Sequence, residues 1–268
     1  MSENQTRRHA YDRIARRYDR ARPNYPDALF DDIVAYADLA AGARILEIGC
    51  GTGQATLPLA QRGYSVDCIE LGAELAKVAR ENLAPFPKVN VLQADFDTVA
   101  LQPANYELVF AATAFHWLNP ATRFGNANRL LKARGTLALF WHRPVVTAAS
   151  HAFVDAVQRV YRDIAPELTR RYHRPPHPDE VTTEYAELIP ASGLFDQLAI
   201  HKRYTATRYR APAYIELLDT FSDHRALAPS VRRQLFRGIE VLIHSEFCGE
   251  IMRETVALLY LSRSLPRQ

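Results

Sequence analysis

Residues 44–60 read RILEIGCGTGQATLPLA. A nearly continuous apolar run meets three glycines two apart, Gly49, Gly51 and Gly53, and helix-forming residues follow at once. A strand without polar alternation suits a parallel sheet covered on both faces. Glycines at its end permit a tight turn and close approach of backbone to a ligand, and the helix beyond presents free N–H groups. The stretch therefore requires a strand, loop and helix with a ligand at the loop. YELVFAA at 106–112 and TLALFW at 136–141 have the same apolar character. Apolar periodicity places helices near 4–17, 26–40, 53–62, 72–84 and 120–133, and strands at 44–48, 65–70, 89–93, 106–111 and 136–141. Strand and helix in alternation predict an α/β fold with a doubly wound sheet. Asn119 before Pro120 reads as a helix start, and Gly135 as that helix's end.

Beyond about residue 143 the rhythm changes. Residues 147–172 read as a long helix, prolines at 175, 176 and 178 interrupt it, and a helix near 179–190 stops at Pro190 and Gly193. A strand at 197–209, helices at 211–221 and 229–246, and a last strand ETVALLYLSR follow. This predicts one domain over 1–268, with N-terminal helices in 1–40, a ligand-binding core in 41–143, and cap segments in 144–180 and 211–247. Consecutive helices also serve as interfaces between subunits, so a monomer or a homodimer is expected.

The 48% hydrophobic and 24% charged fractions are those of an ordinary folded protein. The start, MSENQTRRHAYDRIARRYDR, lacks a secretory apolar core, and no stretch approaches the roughly 20 apolar residues of a membrane span. A cytoplasmic protein without a membrane partner is expected. Cys50, Cys68 and Cys248 contain no C-x-x-C, and the prolines between His173 and His177 keep that pair off one helical face, so no metal site is predicted. The net charge of +3 is too mild to imply nucleic acid.

Three ligand classes compete for the glycine loop. A dinucleotide fingerprint needs its third glycine at position 54, where Gln54 stands, and a triphosphate loop needs a lysine that is absent. S-adenosylmethionine needs a ribose clamp but no pyrophosphate grip. Glu47 precedes the glycines, and YSVDCIEL ends its strand with Glu70, 21 positions after Gly49, where a carboxylate can accept both ribose hydroxyls. The third strand, VNVLQADF, ends with Asp95 for the adenine amino group and Phe96 as an apolar wall.

On LEIGCGTG at 46–53, Glu70, QADF at 93–96 and VFAATAFHWL at 109–118, the chain resembles the class I S-adenosylmethionine-dependent methyltransferases. YDRARPNYP at 18–26 and FSDHRAL at 221–227 are similar to segments of the bacterial small-molecule group that includes trans-aconitate methyltransferase. The resemblance implies a Rossmann-like seven-stranded sheet of order 3-2-1-4-5-7-6, its last strand antiparallel, with a helical cap insertion. It also implies that the backbone near Gly49 and Gly51 contacts the methionine part of S-adenosylmethionine, that Glu70 holds the ribose, and that Asp95 and Phe96 meet the adenine. Ala112 and Thr113 would lie beside the sulfonium, with Tyr18 and Arg22 folded over the cofactor, and Glu47, Gly53, Leu71 and Phe115 are further candidates for cofactor contact.

Methyl transfer is an in-line displacement on carbon, so orientation supplies most of the acceleration and a general base serves only a protonated nucleophile. His116, past the fourth strand, and His142, past the fifth, are the candidate catalytic residues. The seven arginines between Arg7 and Arg22 read mostly as a solvated helix face, with Asp12 able to pair with Arg16. Arg159, Arg162, Arg170, Arg171 and Arg174 read likewise, or as recognition for an acidic acceptor. The expected function is O-methylation of a carboxylate or hydroxyl, or N-methylation, of a small molecule, with no nucleic-acid partner. The rivals are an RNA methyltransferase, a non-catalytic S-adenosylmethionine-binding partner protein and an NAD oxidoreductase.

Overall fold

A strand buried on both faces sends successive side chains to opposite cores. β1 (Arg44–Ile48) does so: Ile45 joins the core on one face of the sheet and Leu46 the core on the other. The computed structural model describes residues 11–170 and 172–266. It contains a seven-stranded sheet of order β3-β2-β1-β4-β5-β7-β6. The other strands are β2 (Ser65–Glu70), β3 (Val89–Gln93), β4 (Tyr106–Ala112), β5 (Leu131–Val145), β6 (Phe195–Arg210) and β7 (Glu250–Ser264). β1 to β5 pair in parallel, and β7 runs antiparallel to both its neighbours. The expected fold is therefore present. Among the described residues no helix is long and apolar enough to cross a membrane.

Helices cover both faces. The core that holds Ile45, Phe110 and Phe140 takes Leu29, Phe30 and Ile33 from α2 (Asp27–Ala37), Leu59 from α3 (Thr56–Gln61) and Leu83 from α4 (Ala73–Leu83). The opposite core takes Ala127 and Leu130 from α5 (Arg123–Leu130). Part of the first predicted helix lies outside the described residues. What is seen there is α1 (Ala15–Ala21), whose Ala15 packs with Leu75 and Val78 of α4. Asp12 does not pair with Arg16. Its carboxylate instead accepts from the Glu74 and Leu75 N–H groups, at 2.7 and 3.0 Å, and so caps the start of α4, while Arg16 pairs with Glu81.

The fifth helix is shorter than the sequence suggests. Asn119 caps the turn at Ala121 (3.0 Å), the helix begins at Arg123, and Leu131 already pairs with Tyr106 in the sheet. β-ladder bonds end this helix before Gly135. The predicted helix over 147–172 is α6 (His151–Ile164) followed by a short α7 (Pro166–Thr169), because Pro166 cannot continue the ladder of backbone bonds. α8 (Tyr185–Ala191) precedes β6, and α9 (Ala211–Leu218), α10 (Ser222–Ala226) and α11 (Pro229–Glu246) lie between β6 and β7.

β6 and β7 outrun their neighbours. β5 stops pairing at Val145 opposite Glu254, yet the β6–β7 ladder continues to Arg210 opposite Glu250. On this two-stranded extension sits a separate core of Phe153, Val157, Leu217, Leu235, Ile239, Ile243 and Ile251, contributed by α6, α9, α11 and β7. Glu254, 2% exposed, ties this cap to the sheet. Its carboxylate accepts from the Thr147 N–H (3.0 Å) and hydroxyl (2.8 Å), and from the Ser150 and Tyr204 hydroxyls. Burial pushes its acidity toward weaker, but the hydrogen bonds from Ser150, Tyr204 and Thr147 prevail and hold the carboxyl below its usual range. A carboxyl lowered on folding adds stability above its unfolded pKa, about 4.3, and loses it as pH falls through the folded value. Glu254→Gln should cost about 2 kcal/mol, because an amide turns donors toward donors. Urea unfolding at pH 7 measures this, and the variant should show a shallower loss of stability below pH ~4.3.

Candidate functional site

The strands bring their carboxyl ends into line: Ile48 lies opposite Ile69, Glu47 opposite Phe110, and Glu70 opposite Gln93. The chain winds outward from β1 through β2 to β3 on one side and returns to β4 on the other, and this reversal of strand order opens a crevice beyond β1. Gly49, Gly51, Glu70, Leu71, Phe96, Ala112, Thr113, His116, Tyr18 and Arg22 all line one slot there. Ten of the residues singled out from sequence are thus brought together.

The glycines have separable reasons. Gly49 has φ +69°, and a Cβ on it would stand 2.6 Å from that of Ala114. Gly51, at φ +57°, faces open space, and its N–H donates to Glu70 Oε2 at 2.8 Å. The Gly72 N–H donates to Glu70 Oε1 at 2.8 Å, so both carboxylate oxygens are fixed where the β1 and β2 loops meet. Gly53 does not line the slot. A Cβ there would lie 2.8 Å from Leu83 Cδ1, so this glycine lets the loop close onto α4. Asp95 does not line it either: its Oδ1 accepts from the Asp97 N–H at 3.1 Å, while its neighbours Ala94 and Phe96 form the wall. Phe115 is fully buried beneath, against Phe124 and Tyr185, because its ring is needed by the core. Tyr11 and Trp117, which sequence reading did not assign, complete the slot with Tyr18; the Tyr11 ring meets Tyr18 and Trp117 edge-on at 5.8 and 6.5 Å.

Glu47 lies on the far side of the glycine loop, in a chamber shared with Tyr25, Thr113 and His142. It is fully buried, its Oε2 accepting from the Thr56 hydroxyl at 2.5 Å while Oε1 has no hydrogen-bond partner among the described residues. Burial pushes its carboxyl up to about 8; the Glu70 charge adds to this and the Thr56 bond opposes it. Thr113 has φ +54°, which is strained for a β-branched residue, and its hydroxyl meets that of Tyr25 at 2.6 Å. The Tyr25 ring stacks on His142 at 4.2 Å.

The two histidines differ. His116 Nδ1 accepts from the Trp141 indole N–H at 3.1 Å, which leaves the proton of the neutral ring on Nε2. Its accessible nitrogen is a donor, so the geometry argues against His116 as the base. Both ring nitrogens of His142 are buried without a hydrogen bond to any described residue, although the Pro23 and Asn24 backbone lies near enough to favour the protonated ring. Burial lowers both rings to about 4, helped by Arg143 and Arg123 at His116 and by Arg253 and Arg22 at His142.

Beside the chamber, sharing Pro144, Phe221 and Arg253 with its lining, lies a cap cavity of about 330 Å³. Phe153, Val157, Tyr214 and Ile251 make it largely apolar, and Tyr161 and His224 add a polar side. The Tyr161 hydroxyl lies 2.8 Å from His224 Nε2, and Asp223 Oδ1 lies 2.7 Å from Nδ1. Arg22 joins the slot to the cap: its Nε donates to the Thr220 hydroxyl at 2.9 Å, and its guanidinium covers Tyr18 and Phe221. The cap arginines are elsewhere. Arg159 pairs with Glu246 and Arg174 with Asp155 on the outside, Arg162 and Arg170 are exposed, and Arg171 lies outside the described residues.

A glycine loop, a fixed carboxylate at the second strand's tip and a sheet of this order define an adenosyl-binding α/β protein. The methyltransferase-domain family matches residues 46–139. An uncharacterized methyltransferase of Mycobacterium tuberculosis (strain CDC 1551 / Oshkosh) is 32% identical over 47% of this chain and 49% of its own length. One from Geobacillus sp. (strain WCH70) is 30% identical over 54% and 70%. The provisionally named type II methyltransferase of Anaeromyxobacter dehalogenans has the same fold, with a TM-score of 0.64 and 24% identity over 92% of this chain and 99% of that one. The chain spans about half the length of the first of these relatives. It belongs to the class I S-adenosylmethionine-dependent methyltransferases, whose cofactor is S-adenosylmethionine.

Gly49→Ala should weaken S-adenosylhomocysteine at least tenfold in calorimetry, since the new Cβ forces the loop off Ala114. In a histidine NMR titration, the His116 and His142 rings should stay neutral from pH 8 down to about 5. A lowered histidine binds its proton more tightly when unfolded, so stability should fall as pH drops from ~6.5 toward the folded value. His142→Asn should flatten that fall.

Proposed function

We propose that the protein transfers the methyl group of S-adenosylmethionine to a small molecule held in the cap cavity, at an oxygen (carboxylate or hydroxyl) or a nitrogen. The observation that carries this reading is adjacency. The slot shares Gly49, Gly51 and Thr113 with the chamber, and the chamber shares Phe221 and Arg253 with the cap cavity. A cofactor in the slot and an acceptor in the cap cavity would lie on either side of one chamber. A pocket enclosed by helices favours a small acceptor over RNA, and a cytoplasmic protein acting alone or as a homodimer fits such an acceptor.

The residues fit the cofactor. Glu70, immobilised by two backbone N–H groups, is placed to accept from ribose hydroxyls, and Leu71, Ala94 and Phe96 offer apolar walls for adenine, with Asp95 at their rim. Glu47 Oε1, buried without a partner, suits the ammonium of the methionine part, whose charge would draw that carboxyl back to its ionised form. When bound, the cofactor supplies a methyl carbon activated by positive sulfur. This chain's residues then have chiefly to orient and to keep water out. Thr113 and Tyr25 form a rigid wall of the chamber, and the cap covers it. Orientation of this kind can supply on the order of 7–11 kcal/mol.

A carboxylate acceptor needs no base. For a hydroxyl or amine, His142 is the residue to receive the proton, being neutral at pH 7 with both nitrogens unengaged. A ring of such low basicity accepts only as the attacking atom becomes acidic on bond formation. His116, with its proton on Nε2, donates and orients instead.

Thermal unfolding tests the reading. At about 100 times its Kd, S-adenosylhomocysteine should raise the midpoint by roughly 5–10 °C, Glu70→Ala should lose the shift, and NAD should give none. A shift with NAD alone, or none with S-adenosylhomocysteine, would overturn it.

A further inference from the structure

β7 carries Arg253 onto the wall between the chamber and the cap cavity, on the ladder that continues past the end of β5. Its guanidinium makes no hydrogen bond or ion pair with any described residue. Other arginines near these spaces are engaged: Arg22 with Thr220, Arg123 with the Tyr185 hydroxyl, and Arg225 and Arg232 with Asp219. Arg253 is half-buried, and a guanidinium held partly out of water without a counter-charge gains from a ligand that brings one.

Neighbouring acids do not supply it. Glu254 is next in sequence and lines the same cavity, but its carboxylate is occupied by Thr147, Ser150 and Tyr204. Asp223 lines the same cavity, yet its Oδ1 is held by the His224 backbone and ring. The groups felt by Arg253 are the uncharged Tyr214 and Tyr209 and the like-charged Arg22. Burial works against the guanidinium here, which is what a group awaiting an anion should show.

We propose that Arg253 is the residue that selects the acceptor, by pairing in the neck of the cap cavity with a carboxylate carried on an apolar body. This rests on the methyltransferase reading above. A guanidinium fork matches a carboxylate bidentately, and the apolar lining of Phe153, Val157, Tyr214 and Ile251 suits the remainder of such a molecule. Arg22 is the other cation close by, but its guanidinium is taken up by Thr220, so the fork of Arg253 is the one open to a carboxylate. Pairing at the neck also fixes which end of the acceptor faces the chamber.

The test uses the full chain saturated with S-adenosylhomocysteine. Saturation-transfer NMR and calorimetry would measure phenylacetate, 4-phenylbutyrate and octanoate, each against its neutral amide, with phenyl phosphate as the competing anion. At least one acid should bind the wild type roughly tenfold or more tighter than its amide. Arg253→Gln should abolish the preference and Arg253→Lys should keep part of it, while the Kd of S-adenosylhomocysteine changes less than threefold in both. If no acid is preferred over its amide, the proposal fails. Tighter binding of phenyl phosphate would reject a carboxylate as the anion. Loss of S-adenosylhomocysteine affinity in folded Arg253→Gln would move the residue to the cofactor's own carboxylate and also overturn it. Failure of the wild type to bind S-adenosylhomocysteine at all would instead remove the methyltransferase reading on which it rests.

Discussion

The Glu70 carboxylate, held between the N–H groups of Gly51 and Gly72, is the contact on which the rest of the site depends. It joins the loops that leave β1 and β2, and so fixes the glycine turn relative to the second strand's tip. A carboxylate bound by two backbone donors loses little freedom when a ligand arrives, which is how a site is preorganised. The strand register beneath makes the contact possible, because Ile48 and Ile69 end opposite one another. Those strands hold their register because both faces are buried and a one-residue slip would exchange the two cores.

Around this anchor the molecule divides its tasks between rigid and variable parts. The parallel core supplies the slot and the strained Thr113, while the cap stands on a two-stranded extension tied back by Glu254. Glu254 and Glu47 illustrate how environment decides charge. Both are buried carboxylates, yet the donors around Glu254 outweigh burial and keep it acidic, whereas Glu47 has one donor and burial wins.

Much of the slot was legible because its residues sit at strand ends, and a strand's apolar run announces where it ends. Gly49, Gly51, Glu70, Phe96, Ala112 and Thr113 were singled out this way, and they meet in one slot. Spacing says nothing about direction. Gly53 follows the same two-residue step as its neighbours but turns onto Leu83, Phe115 sinks into the core, and Asp95 caps its own turn. Asp12 looked like a partner for Arg16 at helical spacing, and docking of the N-terminal segment made it the cap of α4 instead.

The lining of the cap cavity was least legible. Arg253 lies within the last strand, and Tyr161, Asp223 and His224 come from segments far apart in the chain. By itself the sequence determined the α/β alternation, the glycine loop and the acids at the strand tips, because apolar periodicity and turn chemistry are local properties. The tertiary structure alone decided which histidine nitrogen holds its proton and which guanidinium at the wall of the cap cavity is left without a hydrogen bond to any described residue. Those outcomes depend on burial and on partners brought together from distant parts of the chain, which no local pattern records.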